Sequence, residues 1–225
     1  MSNDVFFISH GESNAEINWE KVKKLLPWTK RVDGVSEISD AHQACANQTK
    51  GSHFWTIDAD NDIIEDAIVE YMFNFDFEFV WHEKCVHIFH ALNAVNGLQY
   101  GWGGIKLWPV ENFNEVKRNY IDFTTSFSDI VVHPQLLSVT RFNTDSISAW
   151  RSAFRESAKL TKIAPTNLEA RERLNVWLTQ VYEVPFAREV LYGALSGNRW
   201  ATKNDDLSSI NDWDWLAEQY EVLFN

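Results

Sequence analysis

The sequence predicts an α/β fold with a mixed β-sheet in its first half and a helical C-terminal part. Strand-like and helix-like segments alternate up to about residue 58, and this alternation is typical of parallel strands joined by crossover helices. An aromatic-rich middle segment with partial alternation follows, which indicates further strands. The last third carries apolar residues at helical spacing, so we expect it to form helices.

The first half is predicted to be a β-α-β-α-β unit. Strands are expected at residues 5–9, 30–33 and 53–57, with helices at 14–26 and after the serines at 36 and 39. Pro27 and Gly34 are the expected breaks, because proline ends helices and glycine favours turns. Ser36 or Ser39 is the expected N-cap of the second helix.

The second half is predicted to continue the sheet and then to become helical. Strands are expected within residues 71–88 and at 105–108 and 136–142, with a glycine-bearing turn at 97–104. Helices are expected at 145–161, 167–181, 188–195 and 213–223. The polar segment 197–206 is interpreted as a loop, or as a mobile lid.

Composition limits the possible functions. The 225 residues carry a net charge of −12, whereas a protein that simply coats nucleic acid would be basic. The chain shows neither a long apolar run nor a secretory signal. Cys45 and Cys85 do not suggest a disulfide framework, so we expect a reducing cytoplasm as the setting.

Three aspartates follow the third predicted strand in the segment FWTIDADNDI: Asp58, Asp60 and Asp62. Carboxylates this close repel one another, and burying them is costly. In open parallel sheets, ligands bind beyond the carboxyl ends of the strands. Mg²⁺ and Mn²⁺ prefer carboxylate oxygens, so the cluster predicts a divalent-cation site. The alternative is a solvated turn, since Asp and Asn are common turn residues.

Several segments, taken in order, resemble a phage-encoded family of GT-A-type glycosyltransferases. They are FFISHGESNAEINW, KRVDGVSEISDAHQACA, FWTIDADNDI, NAVNGLQYGWGGIKLWP, DFTTSF, FNTDSISAWRSAFRE and INDWDWL. The resemblance implies a Rossmann-type nucleotide-binding sheet, a UDP-sugar donor and Mn²⁺ or Mg²⁺. Members of T-even-like phages are associated with glycosylating modified bases of phage DNA, including with arabinose. Where members often carry Asp-Gly-Asp, this chain has Asp58-Ala59-Asp60, which keeps both carboxylates.

The order of the segments and the resemblance together predict a domain organisation and a donor site. We expect one domain over residues 1–225, with a nucleotide-sugar-binding half at 1–110 and an acceptor-binding half at 111–225. The expected donor-binding residues are Ser9, Glu12, Asn14, Arg31, Asp33, Asp58, Gly103, Gly104 and Lys106. Competing roles are helix capping for Asn14, a surface salt bridge for Arg31 and Asp33, and a plain hairpin turn for the glycines.

Two carboxylates are candidates for the catalytic base, which an inverting transfer requires to deprotonate the acceptor hydroxyl. Asp145 precedes a predicted helix, so pure N-capping is its competing role. Asp122 is the second candidate. A retaining mechanism would use neither in this role. His133 or His87 is expected as a third ligand of the Asp-bound metal.

A row of basic residues recurs along one face of the predicted helix when it is taken to residue 162: Arg151, Arg155, Lys159 and Lys162, with Arg141 before it. The row predicts contact with nucleic-acid phosphates or with the donor pyrophosphate. The alternative is a solvated helix face paired with Glu156 and its neighbours.

The expected acceptor is a hydroxylated pyrimidine in phage DNA, or a sugar already attached to it, in the cytoplasm of an infected host cell. Two other functions remain possible from the sequence. One is a glycosyltransferase for a glycan or small molecule, which the acidic chain favours. The other is a non-catalytic protein that binds nucleotide sugars or nucleic acid.

Overall fold

The computed structural model describes residues 4–74, 84–101, 103–114 and 123–224. The chain divides into two compact units. The sheet unit comprises Met1–Leu92 and Gln99–Thr140, and the helical unit comprises Asn93–Leu98 and Arg141–Asn225. This division does not coincide with the boundary predicted at residue 110. The expectation that residues 1–225 act as a single domain stays a prediction.

The sheet unit is a mixed α/β structure, as predicted. Its strands are β1 (Asp4–Ser9), β2 (Lys30–Asp33), β3 (His53–Asp58), β4 (Asn61–Ile63), β5 (Val86–Asn93), β6 (Gln99–Tyr100), β7 (Ile105–Pro109) and β8 (Ile130–Thr140). Its helices are α1 (Ala15–Leu25), α2 (Ile38–Gln48) and α3 (Glu65–Asn74). The strands form one sheet in the order β2-β1-β3-β7-β5-β8-β4, with β6 paired to β5.

The predicted parallel unit is confirmed. Strand β1 pairs in parallel with β2 and with β3, so that Ser9 lies opposite Asp33 and Ile8 lies opposite Asp58. Strand β7 runs antiparallel to β3 and places Lys106 opposite Thr56. The carboxyl ends of β1, β2 and β3 and the beginning of β7 therefore meet at one edge of the sheet.

Both faces of the central strands are covered, which explains their continuous apolar sequences. Val5 and Phe7 of β1 belong to a core that contains Val22 of α1. The alternate residues Phe6 and Ile8 belong to a second core that contains Cys45 of α2. A strand buried on both faces is stiff, so the residues at its end are held in defined positions.

The helical unit contains α4 (Ser146–Ile163), α5 (Leu168–Thr179), α6 (Ala187–Lys203) and α7 (Trp213–Phe224). Helices α4 and α6 pack closely at two glycines. A Cβ at Gly193 would lie 2.2 Å from the Trp150 carbonyl oxygen, and one at Gly197 would lie 2.1 Å from that of Phe154. Glycine is needed at both positions because a side chain there would push the helices apart.

Several predicted boundaries were wrong. Residues 71–74, expected in a strand, form the last turn of α3. Strand β8 begins at Ile130 rather than at residue 136. Glu37, and neither Ser36 nor Ser39, precedes α2 as its N-cap residue. Residues 197–203 are helical rather than a loop or lid, because Gly197 is used for packing and does not end the helix.

Among the described residues, we find no helix that is both long and apolar enough to cross a membrane.

Candidate functional site

The Asp58–Asp60 loop is fixed by backbone hydrogen bonds to both neighbouring strands. The Asp58 N–H donates to the Gly104 carbonyl at 2.9 Å, and the Ala59 N–H donates to the Ile8 carbonyl at 2.9 Å. The Asn18 side chain of α1 donates to the Ala59 carbonyl at 2.7 Å. The loop between the two aspartates is therefore held on three sides.

The Asp58 carboxylate has one paired and one unpaired oxygen. Its Oδ2 lies 3.4 Å from Lys106 Nζ, and the Lys106 side chain is only 9% exposed. Its Oδ1 is buried and accepts no hydrogen bond from the described part of the chain. A buried carboxylate oxygen without a donor is costly, and a bound cation would satisfy it.

The Asp60 carboxyl lies close to two other carboxylates, those of Asp58 and Glu12. Burial, followed by the negative charges of Asp58 and Glu12, raises the pKa of Asp60 to about 7. A hydrogen bond from Asn61 and the charge of Lys106 act in the opposite direction. Near neutral pH this carboxyl therefore takes up or releases its proton easily, and a cation would favour the ionised form.

Asn61 orients the Asp60 carboxyl. Its Oδ1 accepts hydrogen bonds from Ser138 Oγ at 2.8 Å and Thr140 Oγ1 at 3.0 Å. Because these donors fix the amide orientation, its Nδ2 faces Asp60 and donates to Oδ1 at 2.6 Å. The sequence did not reveal this role, since the two hydroxyl residues lie more than 70 positions away.

Gly104 is packed against the same cluster. A Cβ at this position would lie 2.1 Å from Asn61 Nδ2 and 2.9 Å from the Asp58 Cβ. At Gly103, a Cβ would lie 2.8 Å from both the Ala91 Cβ and the Phe89 carbonyl oxygen. Close packing alone thus requires glycine at both positions. Their predicted contact with a donor sugar stays a prediction.

Asp62, the third aspartate of the run, forms an ion pair with Lys21 of α1. It is accordingly held by the helix. The paired acidic site predicted at the sheet edge consists of Asp58 and Asp60.

A second polar group lies at the ends of β1 and β2. Ser9 Oγ donates to Asp33 Oδ1 and accepts from Arg31 Nε at 2.9 Å. The Arg31 guanidinium also pairs with Glu16 at 2.7 Å and with Asp33 at 3.4 Å. Arg31 therefore forms the predicted salt bridge, while the Asp33 side chain remains 58% exposed at the sheet edge.

The remaining donor-site candidates lie in the turn after β1. Glu12 Oε2 accepts a hydrogen bond from the His10 N–H at 2.7 Å. Asn14 occupies the N-cap position of α1, but its side chain does not cap the helix. Gly11 has a φ of 84°, a left-handed conformation that favours glycine and that turns the chain back towards α1.

His133 was predicted as a third metal ligand, with His87 as its alternative. The structure places His133 Nε2 at 2.9 Å from His87 Nδ1 and stacks its ring on Phe89. Burial lowers the pKa of His133. Within the described ranges, no three His, Cys, Asp or Glu side chains form a group that could hold a metal ion. The ligand roles of Asp58, Asp60 and His133 stay predictions.

This pair of aspartates fits a hard divalent cation. It supplies carboxylate oxygens, and one of them is buried without a partner in the part of the chain that the structure describes. Mg²⁺ and Mn²⁺ typically complete such sites with water and substrate phosphates.

Of the two predicted catalytic bases, Asp145 lies in the helical unit and caps α4. Its Oδ1 accepts a hydrogen bond from the Ser148 N–H at 2.7 Å, so the capping role is real. Its catalytic role stays a prediction. Asp122 lies outside the described residues.

The predicted basic row on α4 is engaged within the helical unit. Arg155 donates to the Ile210 carbonyl at 2.8 Å and to Asn211 Oδ1 at 2.7 Å. The Arg151 guanidinium lies 3.5 Å from the centroid of the Trp213 ring. Arg155 thus joins α4 to the segment before α7, and Arg151 joins α4 to the first residue of α7.

The lysines of the row form ion pairs. Lys159 pairs with Glu156 at 3.0 Å, and Lys162 pairs with Asp205 at 3.0 Å. Arg141 is exposed. The pairing with Glu156 is the alternative that the sequence left open, and phosphate binding by the row stays a prediction.

Comparison with known proteins gives limited information. No family model matches the chain, and no curated protein matches it. Among solved structures, a glycosyltransferase involved in the glycosylation of the major capsid of PBCV-1 matches with 12% identity and a TM-score of 0.36, covering 58% of this chain and 82% of that one. S. aureus TarS 1-349 matches with 9% identity and a TM-score of 0.41, covering 92% of this chain and 76% of that one. Neither likeness carries an inference about function.

Proposed function

We propose that the protein is a GT-A-type glycosyltransferase that uses a UDP-sugar and requires Mn²⁺ or Mg²⁺. The observation that carries this proposal is the pair Asp58 and Asp60 at the carboxyl edge of the parallel strands, where Asp58 Oδ1 is buried and finds no partner among the described residues. Ser9 and Asp33 lie at the ends of the neighbouring strands of the same edge. An acidic pair beside an exposed hydrogen-bond acceptor suits a diphosphate that is attached to a nucleoside.

Each side chain of the sheet edge has a role in this proposal. Asp58 and Asp60 hold the cation, which when bound offsets the charge that develops on the departing nucleoside diphosphate. Asp33 accepts a hydrogen bond from the uracil N3–H or a ribose hydroxyl. Ser9 and Arg31 keep the Asp33 carboxylate in place. Asp145, which lies in the helical unit, is the proposed catalytic base, and its role is to take the proton of the acceptor hydroxyl.

The proposed acceptor is a hydroxylated pyrimidine of phage DNA, or a sugar already attached to one. The similarity of the sequence segments to phage DNA-modifying glycosyltransferases supports this choice. A base in a duplex must be extruded before it can react. A glycan or small-molecule acceptor is the second candidate, and the internal pairing of the α4 basic row favours it.

The donor site is tested by thermal unfolding with UDP in the presence and absence of Mn²⁺. We expect UDP to raise the melting temperature only when Mn²⁺ is present, and Asp60→Asn to remove this effect. Asp62→Asn is the matched control, because Asp62 is paired with Lys21, and it should keep the effect. An Asp60→Asn protein that still responds to UDP and Mn²⁺ would exclude Asp60 as a ligand.

The reaction is tested by incubating the protein with a panel of UDP-sugars and reading the products by mass spectrometry. Acceptors are hydroxymethylated DNA, unmodified DNA and an oligosaccharide. Transfer to hydroxymethylated DNA alone supports the proposed acceptor, and transfer to the oligosaccharide alone supports the second candidate. Stabilisation by UDP and Mn²⁺ without transfer to any acceptor would indicate a binding protein instead.

A further inference from the structure

Lys106 is an unusual neighbour for a cation site. Its ammonium group lies 3.4 Å from Asp58 Oδ2, and its side chain is only 9% exposed. It extends from β7, directly opposite Thr56 of β3 in the sheet register. A lysine in this position brings a positive charge to the same carboxylate that is proposed to bind a divalent cation.

The position of Lys106 is fixed by the sheet. Its strand is buried at every position from Ile105 to Pro109, and the Asp58 N–H is bonded to the Gly104 carbonyl just before this strand. The backbone therefore keeps the lysine beside Asp58, while the long side chain retains rotatable bonds with which to reach another partner.

Two positive charges beside one carboxylate repel each other strongly in a partly buried site. Lys106 and a divalent cation therefore compete for Asp58. A diphosphate that arrives with the cation supplies new negative oxygens, and these offer the ammonium group an alternative partner. If the cation pairs with Asp58 and the Lys106 ammonium pairs with a phosphate oxygen, both Asp58 and Lys106 keep a partner. This is important because an unpaired buried charge is costly.

We propose that Lys106 acts as a placeholder cation, which neutralises Asp58 in the free protein and moves to a phosphate oxygen when the metal and the nucleotide bind together. This inference rests on the proposed function. It adds that the free site disfavours metal alone and favours the metal-nucleotide complex. The protein would then bind its two ligands cooperatively.

Lys106→Met tests the proposal, because methionine keeps much of the side-chain length without the charge. We expect the affinity for Mn²⁺ alone to rise about tenfold, since the competing charge is gone. We expect the affinity for UDP at saturating Mn²⁺ to fall, since a phosphate partner is lost. Both affinities are measured by isothermal titration calorimetry, with circular dichroism as the check of folding.

Two variants serve as controls. Lys106→Arg keeps the charge and should leave the affinity for Mn²⁺ alone near the wild-type value. Lys21→Met removes a lysine paired with a neighbouring aspartate of the same run and should not raise the affinity for Mn²⁺. An equal or lower Mn²⁺ affinity in Lys106→Met would overturn the placeholder role.

Binding of Mn²⁺ and UDP to the wild-type protein separates an error in the donor site from an error in the role of Lys106. If the wild-type protein binds neither Mn²⁺ nor UDP, the donor site itself is wrong and the inference falls with it. If it binds both, and Lys106→Met fails to fold, a crystal structure of the wild-type complex decides. If the Lys106 ammonium group still lies beside Asp58 Oδ2 when both ligands are bound, the proposed movement of Lys106 is overturned. If it lies at a phosphate oxygen, the proposed movement is supported.

Discussion

Asn61 Nδ2 donates a hydrogen bond to Asp60 Oδ1 at 2.6 Å, between consecutive residues where the turn after β3 enters β4. The amide is itself held by two hydroxyl groups of β8. One oxygen of Asp60 is thereby tied to the sheet. Asn61 is therefore a positioning residue of the candidate site.

Asn61→Ala should weaken metal-dependent UDP binding because Asp60 loses the group that orients it. Loss of such supporting partners typically lowers metal affinity by about 10- to 100-fold. Calorimetry with Mn²⁺ and UDP measures the change. Asn47→Ala, at an exposed position of α2, is the control and should bind normally. Equal binding by both variants would contradict the positioning role.

Asp145→Asn separates catalysis from helix capping. Asn caps helices about as well as Asp, so the melting temperature should stay close to that of the wild type. If Asp145 is the base, sugar transfer should be lost while UDP and Mn²⁺ still bind. Asp145→Ala should in addition cost about 1 kcal/mol of stability. If Asp145→Asn keeps full activity, Asp145 is not the catalytic base and its role is to cap α4.

The basic row on α4 is best tested at Lys162, whose partner Asp205 is fully exposed. Lys162→Glu should therefore change stability by no more than about 0.5 kcal/mol. Arg155→Glu, by contrast, should cost about 1–3 kcal/mol because it breaks the bonds to Ile210 and Asn211. Denaturant unfolding measures both changes.

Binding of hydroxymethylated DNA by Lys162→Glu then tests the phosphate role. If the row contacts DNA, the variant should bind more weakly and with a smaller dependence on salt. Unchanged binding would leave the row with its structural role alone.

His42 should make stability depend on pH. Its ring is buried against Trp108 and Phe123, and burial lowers the pKa of His42 to about 4. Between pH 6.5 and 4 the unfolded chain takes up a proton that the folded protein does not, so stability falls as the pH falls. The expected loss is roughly 3 kcal/mol.

Denaturant unfolding of the wild type and His42→Gln at pH 7 and pH 4.5 isolates this contribution. Groups remote from His42 titrate alike in both proteins, so the difference between their pH-dependent losses reports on His42 and on its electrostatic coupling to Asp58 and Lys106. The variant should lose less stability than the wild type on acidification. Parallel losses would show that His42 does not titrate as its burial implies.

The sequence by itself determined the parallel β-α-β-α-β unit and the position of the acidic pair. Alternating apolar segments fixed β1, β2 and β3, and parallel strands always bring their carboxyl ends to one edge. It also determined the cap of α4, where Asp145 accepts a hydrogen bond from the N–H group three residues on. These features depend on local pattern and on residues close together in the chain.

Only the tertiary structure decided which polar side chains surround that pair. Lys106 reaches Asp58 across 48 residues, and Asn61 meets Thr140 across 79. Such contacts depend on strand order and register, in which the antiparallel strands β7 and β8 enter the sheet out of sequence order. Periodicity within a segment reveals which face is buried, but it does not determine which distant strand will lie beside it. The side chains that contact Asp58 and Asp60 could therefore be identified only from the tertiary structure.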